Sequence, residues 1–256
     1  MKRTVLITGS TSGIGLGIAE GFAALGYSIA FNGLEPDGVE IAKHVAEKYG
    51  VPYLFSPANV TDFAALQQMV QEVNEKLGVI DILVNNAGIQ HVSPIETFPI
   101  EKWDAIMNIN LKAPFLLSQL VWPAMKKQRF GRIINMSSAH GLVASEFKSA
   151  YVSSKHGLLG LTKTLALEGA PFNITCNAVC PGYVHTPIID HQIADQVKAN
   201  HMSADDVIQK VMLAKQAIKE FIPIELVVKA VLFLADENAR SITGIALPVE
   251  GGWTAQ

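Results

Sequence analysis

Cysteine is nearly absent from the chain: Cys176 and Cys180 are the only two among 256 residues. Their C-x-x-x-C spacing matches neither a redox C-x-x-C nor a zinc pattern with further ligands nearby, and both fall in a strand-like apolar run. They are read as reduced core thiols, and no metal site is expected. Charge is sparse too, at 17% of residues, and nearly balanced, with 20 basic and 23 acidic side chains and a net charge of −3. Without a sequence-wide positive field, neither nucleic acid nor an anionic membrane is an expected partner. Long apolar runs are missing, since no stretch approaches the roughly eighteen residues a transmembrane helix needs. The opening Met1-Lys2-Arg3 is basic like the start of a signal sequence, but the apolar run behind it is short and breaks at Gly9. A soluble, cytoplasmic protein is expected. Internal repeats, low-complexity tracts and linkers are also lacking, and the length fits one α/β domain.

What the chain does have is apolar material, 49% of residues, arranged in alternation. Strand-length runs at 4–8, 28–32, 53–56, 80–84, 132–136, 174–179 and 245–249 are mostly continuous Val, Ile, Leu and Ala, the pattern of strands buried on both faces. Helical periodicity fills 14–25, 39–48, 63–77, 101–127, 150–167 and 224–234. This alternation predicts an α/β fold: one domain with a doubly wound, Rossmann-type parallel sheet. Residues 186–221 break the rhythm with two short helical patterns, the second opened by Ser203 and Asp206 at capping-box spacing. A helical insertion after the sixth strand would lie over the carboxyl ends of the strands, where ligands bind in such sheets, and is read as a lid.

Three motifs carry chemistry. Thr8-Gly9-Ser10-Thr11-Ser12-Gly13-Ile14-Gly15 lies between the first strand and first helix, where a tight turn lets a pyrophosphate approach the helix N-terminus. Asn85-Asn86-Ala87-Gly88 follows the fourth strand with small residues that let backbone approach a flat ligand. In Tyr151-Val152-Ser153-Ser154-Lys155, Tyr and Lys four apart share one helix face. A tyrosine of ordinary pKa about 10 is a poor base at neutral pH, and a neighbouring cation stabilises its phenolate.

Taken with Ser138, thirteen positions before Tyr151, and with Pro181-Gly182, these motifs stand in the order and spacing of the short-chain dehydrogenase/reductase family, which the chain resembles along essentially its whole length. The resemblance implies that Tyr151 is the acid/base, that Ser138 holds the substrate oxygen, and that Lys155 lowers the tyrosine pKa and binds the nicotinamide ribose. Asn110 matches the asparagine whose backbone helps hold a relay water. Asn59 stands where an aspartate usually meets the adenine amino group, and its amide oxygen can still accept that bond. Cofactor contacts are implied for Gly9, Thr11, Ser12, Gly13, Ile14, Gly15, Leu34, Asn59, Val60, Asn86, Ala87, Gly88, Tyr151, Lys155, Pro181, Gly182, Val184 and Thr186. The second strand ends in Gly33-Leu34-Glu35, with no cation there or at Ser12 to pair with a 2′-phosphate, so NAD is expected by exclusion.

A narrower resemblance, to the bacterial D-3-hydroxybutyrate dehydrogenases, rests on Asn86 to His91, Ser137 to Ser145, Lys148 to Tyr151 and the terminal Gly251-Gly252-Trp253-Thr254-Ala255. It implies that Gln90, His140, Lys148 and Gln192 bind a substrate carboxylate and that Trp253 contributes the apolar side. Physically, a short hydroxy acid needs a cation and several donors, and these residues come from separate segments beyond strand ends or in the lid. Tyr183 replaces the usual tryptophan after Pro-Gly, which bears on chain length, and Gln256 replaces a common terminal arginine. The alternatives are a 3-oxoacyl thioester reductase of the same family and a catalytically silent NAD-sensing module. A homotetramer is expected, because Leu158, Leu159, Leu161, Leu165 and Leu167 cover more than one face of their helix.

Overall fold

The continuous apolar runs become seven strands: β1 (Thr4–Ile7), β2 (Ser28–Asn32), β3 (Tyr53–Ser56), β4 (Ile80–Asn85), β5 (Gly131–Met136), β6 (Ile174–Pro181) and β7 (Ala246–Val249). Each lies within two residues of its expected bounds. The structure, a computed structural model, describes residues 3–186, 193, 197 and 202–255. All the strands are parallel, in the order β3-β2-β1-β4-β5-β6-β7. The chain winds outward from β1 to β3, then crosses back to lay β4 against β1, so the order reverses between those two strands. In such sheets a crevice opens at that reversal, beyond the carboxyl ends of the strands.

Successive side chains of a strand point to opposite faces, and β1 shows the result. Val5 and Ile7 join the core under α1 (Gly13–Ala24), α2 (Gly38–Tyr49) and the helix Ile224–Ala235, with Ile18, Phe22, Val227 and Val231. Leu6 joins the opposite core, under α3 (Phe63–Lys76), the helix Ala113–Gln128 and the helix Ser149–Gly169, with Leu66, Met69 and Leu117. Fully burying such a side chain stabilises the fold by about 1.5–3 kcal/mol, which explains why both faces are covered.

The expected single helix over 101–127 is interrupted. It runs as α4 (Ile100–Met107), a π-helical turn (Asn108–Lys112) and α5 (Ala113–Gln128). The wider turn carries the buried Asn110 side chain, whose Oδ1 accepts from the Ile89 N–H at 2.9 Å. Its Nδ2 donates to the Ile89 carbonyl at 2.9 Å and to Ser154 Oγ at 3.2 Å. A buried amide satisfied on both sides offsets the poorer helix geometry. After it come α6 (Ser149–Gly169) and, past the insertion, α7 (Ile224–Ala235).

Within the insertion, Ser203 caps the short helix Ala204–Asp206 by accepting from the Asp206 N–H at 3.2 Å, as its spacing predicted. The helix continues in π-helical turns over Val207–Met212. Val207 and Met212 are buried in a small cluster with Tyr183 and Phe221, and the Val184↔Ile222 bridge ties the root of the insertion to its return.

Candidate active site

A cleft of about 730 Å³ opens at the carboxyl ends of the strands. Its floor is the loop between β1 and α1. A Cβ at Gly15 would stand 2.0 Å from the Gly9 carbonyl oxygen and 2.5 Å from Asn86 Nδ2, so only glycine lets α1 begin this close to the turn. Asn86 fastens the loop: its Nδ2 donates to the carbonyls of Thr8 and Gly9, each at 2.9 Å. The Thr8 hydroxyl receives the N–H groups of Asn86 and Ala87, each at 3.0 Å. Ser12, Gly13, Ile14 and Gly15 then line the cleft at the start of α1, where the free N–H groups and dipole of a helix favour an anion.

At the far end of the floor, Gly33, Leu34 and Glu35 line the wall. The Thr11 hydroxyl donates to the Glu35 carboxylate, and this bond above all holds Glu35 below the usual carboxylate range. A Cβ at Gly33 would lie 2.3 Å from Thr11 Oγ1 and 2.6 Å from Glu35 Oε2, so the pairing requires glycine there. The lining at this end, from Gly9 to Val60, contains no Lys or Arg. Asn59 lines it too, but its Oδ1 is occupied locally, accepting from the N–H and hydroxyl of Thr61 at 3.0 and 2.9 Å.

The other end is organised by α6. Lys155 is 4% exposed, its Nζ donates to the Met136 carbonyl at 2.7 Å, and burial lowers its pKa to about 8. Tyr151 lies one turn earlier, with the Lys155 ammonium 5.5 Å from its ring. Burial raises the phenol, and a hydrogen bond with Ser138 opposes that rise. In this arrangement burial is the largest influence on the phenol, and the Lys155 ammonium is directed to the Met136 carbonyl. Ser138 also accepts from the His140 N–H at 3.1 Å.

Above these groups is an aromatic roof. Tyr183 and Trp253 stack with centroids 5.7 Å apart and planes 10° from parallel, and His140 meets Trp253 edge-on at 5.0 Å. Burial first, then Lys148, lowers the His140 pKa to about 3, so its ring is neutral at physiological pH, with Nε2 2.9 Å from Ser145 Oγ. Lys148 is half-buried, 5.9 Å over the Tyr183 ring, and among the described residues no carboxylate forms a salt bridge with it. Burial, then the Lys215 charge, lowers its pKa.

The cleft therefore gathers the expected residues with three exceptions. Thr11 and Asn110 stand behind the wall, supporting Glu35 and Ile89, and Gln192 lies outside the described residues. Gln90, Pro181, Gly182, Val184 and Thr186 line the cleft with the others. Two residues at this end were not anticipated. Lys215 acts electrostatically on both His140 and Lys148. The buried Gln216 accepts from the Tyr183 N–H at 3.2 Å and donates to the carbonyls of Ile218 and Glu220, tying the end of the insertion to the loop after β6. Neither stands in a periodic pattern or a motif.

A family model for short chain dehydrogenases matches residues 3–197. The chain belongs to the short-chain dehydrogenase family. It is an oxidoreductase of that family, similar along its whole length to named relatives. The D-beta-hydroxybutyrate dehydrogenase of Rhizobium meliloti is 48% identical, with 100% of both chains covered. That of Cupriavidus necator is 44% identical over 99% of this chain and 98% of its own. The 3-oxoacyl acyl-carrier-protein reductase of Thermotoga maritima is 35% identical over 98% of this chain and 97% of its own. Among the described residues, no helix is long and apolar enough to cross a membrane.

Proposed function

We propose that this short-chain dehydrogenase oxidises D-3-hydroxybutyrate to acetoacetate, reversibly, with NAD. The observation that carries the reading is Lys148: an ammonium withdrawn from solvent into the cleft, with no carboxylate partner among the described residues, on the same side as Tyr151 and Ser138. A half-buried cation is costly unless a ligand anion completes it, and a short acid supplies that anion. Gln90, His140 and Gln192 are assigned to the same carboxylate, and the Tyr183–Trp253 stack to the methyl end. The relatives named for this activity favour the same substrate.

The glycine loop, the start of α1 and the Gly33 to Glu35 wall fit a dinucleotide, and the Glu35 carboxylate with no nearby cation fits a free ribose hydroxyl better than a 2′-phosphate. When bound, the nicotinamide supplies the hydride acceptor. The chain does the rest: Ser138 holds the substrate oxygen, Lys155 holds positive charge beside the Tyr151 phenolate, and that phenolate takes the hydroxyl proton and becomes the neutral phenol. Fixing the carboxylate in the roof fixes which face of C3 is presented.

The exposed Leu167, Leu226 and Phe233 leave apolar surface on α6 and α7, in keeping with a homotetramer whose mass light scattering would give. The main test is absorbance at 340 nm. D-3-hydroxybutyrate with NAD is expected to give turnover, at a kcat/KM at least about tenfold above that with NADP. Activity confined to 3-oxoacyl thioesters with NADPH would overturn the reading.

A further inference from the structure

Immediately before Lys148 the backbone does something unusual. Phe147 has φ +64°, in the left-handed region that is a genuine outlier for a bulky residue. Ring packing does not hold it there, because the residue is 53% exposed. Two backbone bonds do bracket it. The Phe147 carbonyl accepts from the Ser93 N–H at 2.9 Å, and the next carbonyl, that of Lys148, accepts from the Val152 N–H at 2.8 Å in the first turn of α6. The chain is thus fixed on one side to the loop carrying Gln90, three residues before Ser93, and on the other to the helix carrying Tyr151. Returning Phe147 to an ordinary negative φ means rotating about its N–Cα bond by more than about 100°. With both carbonyls held, that rotation must displace either Lys148 or the segment of Ser145, the partner of His140.

We propose that Phe147 is a positioning residue: its left-handed backbone aims Lys148 into the cleft, and the Ser93–Phe147 bond keeps the Lys148 and Gln90 segments in register. The proposal rests on the reading of Lys148 as the carboxylate anchor. The strain makes the competent arrangement of this loop a population that substitutions at 147 can shift, and the apparent affinity for the acid follows that population.

The test is a backbone series at position 147 in the full-length enzyme, with Lys148→Ala alongside. Phe147→Val, whose β-branching adds to the left-handed strain that Phe147 already bears, is expected to raise KM for D-3-hydroxybutyrate about 2- to 5-fold, the ratio that up to about 1 kcal/mol of added strain represents. KM for NAD should stay within about twofold. Phe147→Gly, which takes this φ without strain, should hold KM for the acid at or below the wild-type value. A Val variant with wild-type KM, a Gly variant impaired as much as Val, or a series in which melting temperature falls while KM does not move would each overturn the proposal. Lys148→Ala separates the two levels: if it leaves KM for the acid unchanged, the carboxylate reading itself fails, whereas if it raises KM while Phe147→Val does not, only the positioning role is lost.

Discussion

At the glycine-loop end of the cleft close-packed backbone forms most of the surface; at the Lys148 end side chains do. The floor is closed by contacts that leave no room for a Cβ and by the Thr8, Gly9 and Asn86 bonds across β1 and β4. The roof is assembled from a lysine, a neutral histidine, a stacked tyrosine and tryptophan, and an insertion tied down through Gln216. A floor of this kind suits a ligand whose phosphates and rings are constant. A roof of exchangeable side chains is where the substrate of a shared scaffold can be changed. The two ends should therefore fail separately under mutation.

Tyr151 lies where they meet, and its loss should have the largest effect. Tyr151→Phe removes the proposed proton-transfer group while leaving the floor intact, so kcat is expected to fall about 10²- to 10⁴-fold with NAD affinity, measured by fluorescence titration, near normal. If the variant kept more than a few per cent of its turnover at neutral pH, another acid/base would have to be found. Because burial raises the phenol, oxidation by the wild type should accelerate as pH rises above neutral.

Removing the roof cation alone comes next. Lys148→Ala should lose on the order of 2 to 3 kcal/mol in kcat/KM for the hydroxy acid, the worth of a charge-assisted hydrogen bond, with NAD binding little changed. The methyl ester of the substrate should be penalised by a similar factor in the wild type and much less in the variant, because the charge partner is already gone. Equal ester penalties in both proteins would show that Lys148 does not face the carboxylate.

The same contrast explains what could be read from the chain. Gly9, Gly13 and Gly15 are legible because a glycine requirement is local: spacing between a strand and a helix states the backbone geometry directly. The strands are legible because each is buried on both faces. The break at Asn108–Lys112 is not, since apolar periodicity continues through it and its cause, Asn110 bonded to Ile89, spans distant segments. Thr11 gripping Glu35 is hidden for the same reason: two polar residues 24 positions apart announce nothing until the loops are folded together. Gln216 is harder still, an amide in an irregular polar stretch whose burial follows only from where the insertion returns.

Lys155 belongs to both ends, and its burial gives the smallest and most discriminating expectation. In the unfolded chain its pKa is about 10.4, whereas in the fold burial brings it to about 8. Between those values the unfolded state binds more protons, so stability rises with pH across the window and the penalty for the buried charge is fully present below pH 8. That penalty is on the order of 3 kcal/mol, partly offset by the bond from Nζ to the Met136 carbonyl. Lys155→Met fills similar space without the charge, and forfeits that bond. At pH 7 the variant should melt a few degrees above the wild type, at about 2–4 °C per kcal/mol for a chain of this size, though inactive. By pH 10 the wild-type amine is neutral, the advantage should vanish, and the unpaired Met136 carbonyl should leave the variant level or slightly less stable. Melting curves at matched protein concentration decide the matter. A difference in melting temperature that stays constant from pH 7 to pH 10 would mean that Lys155 carries no burial cost, and that its charge is compensated within the fold rather than held ready for the phenolate.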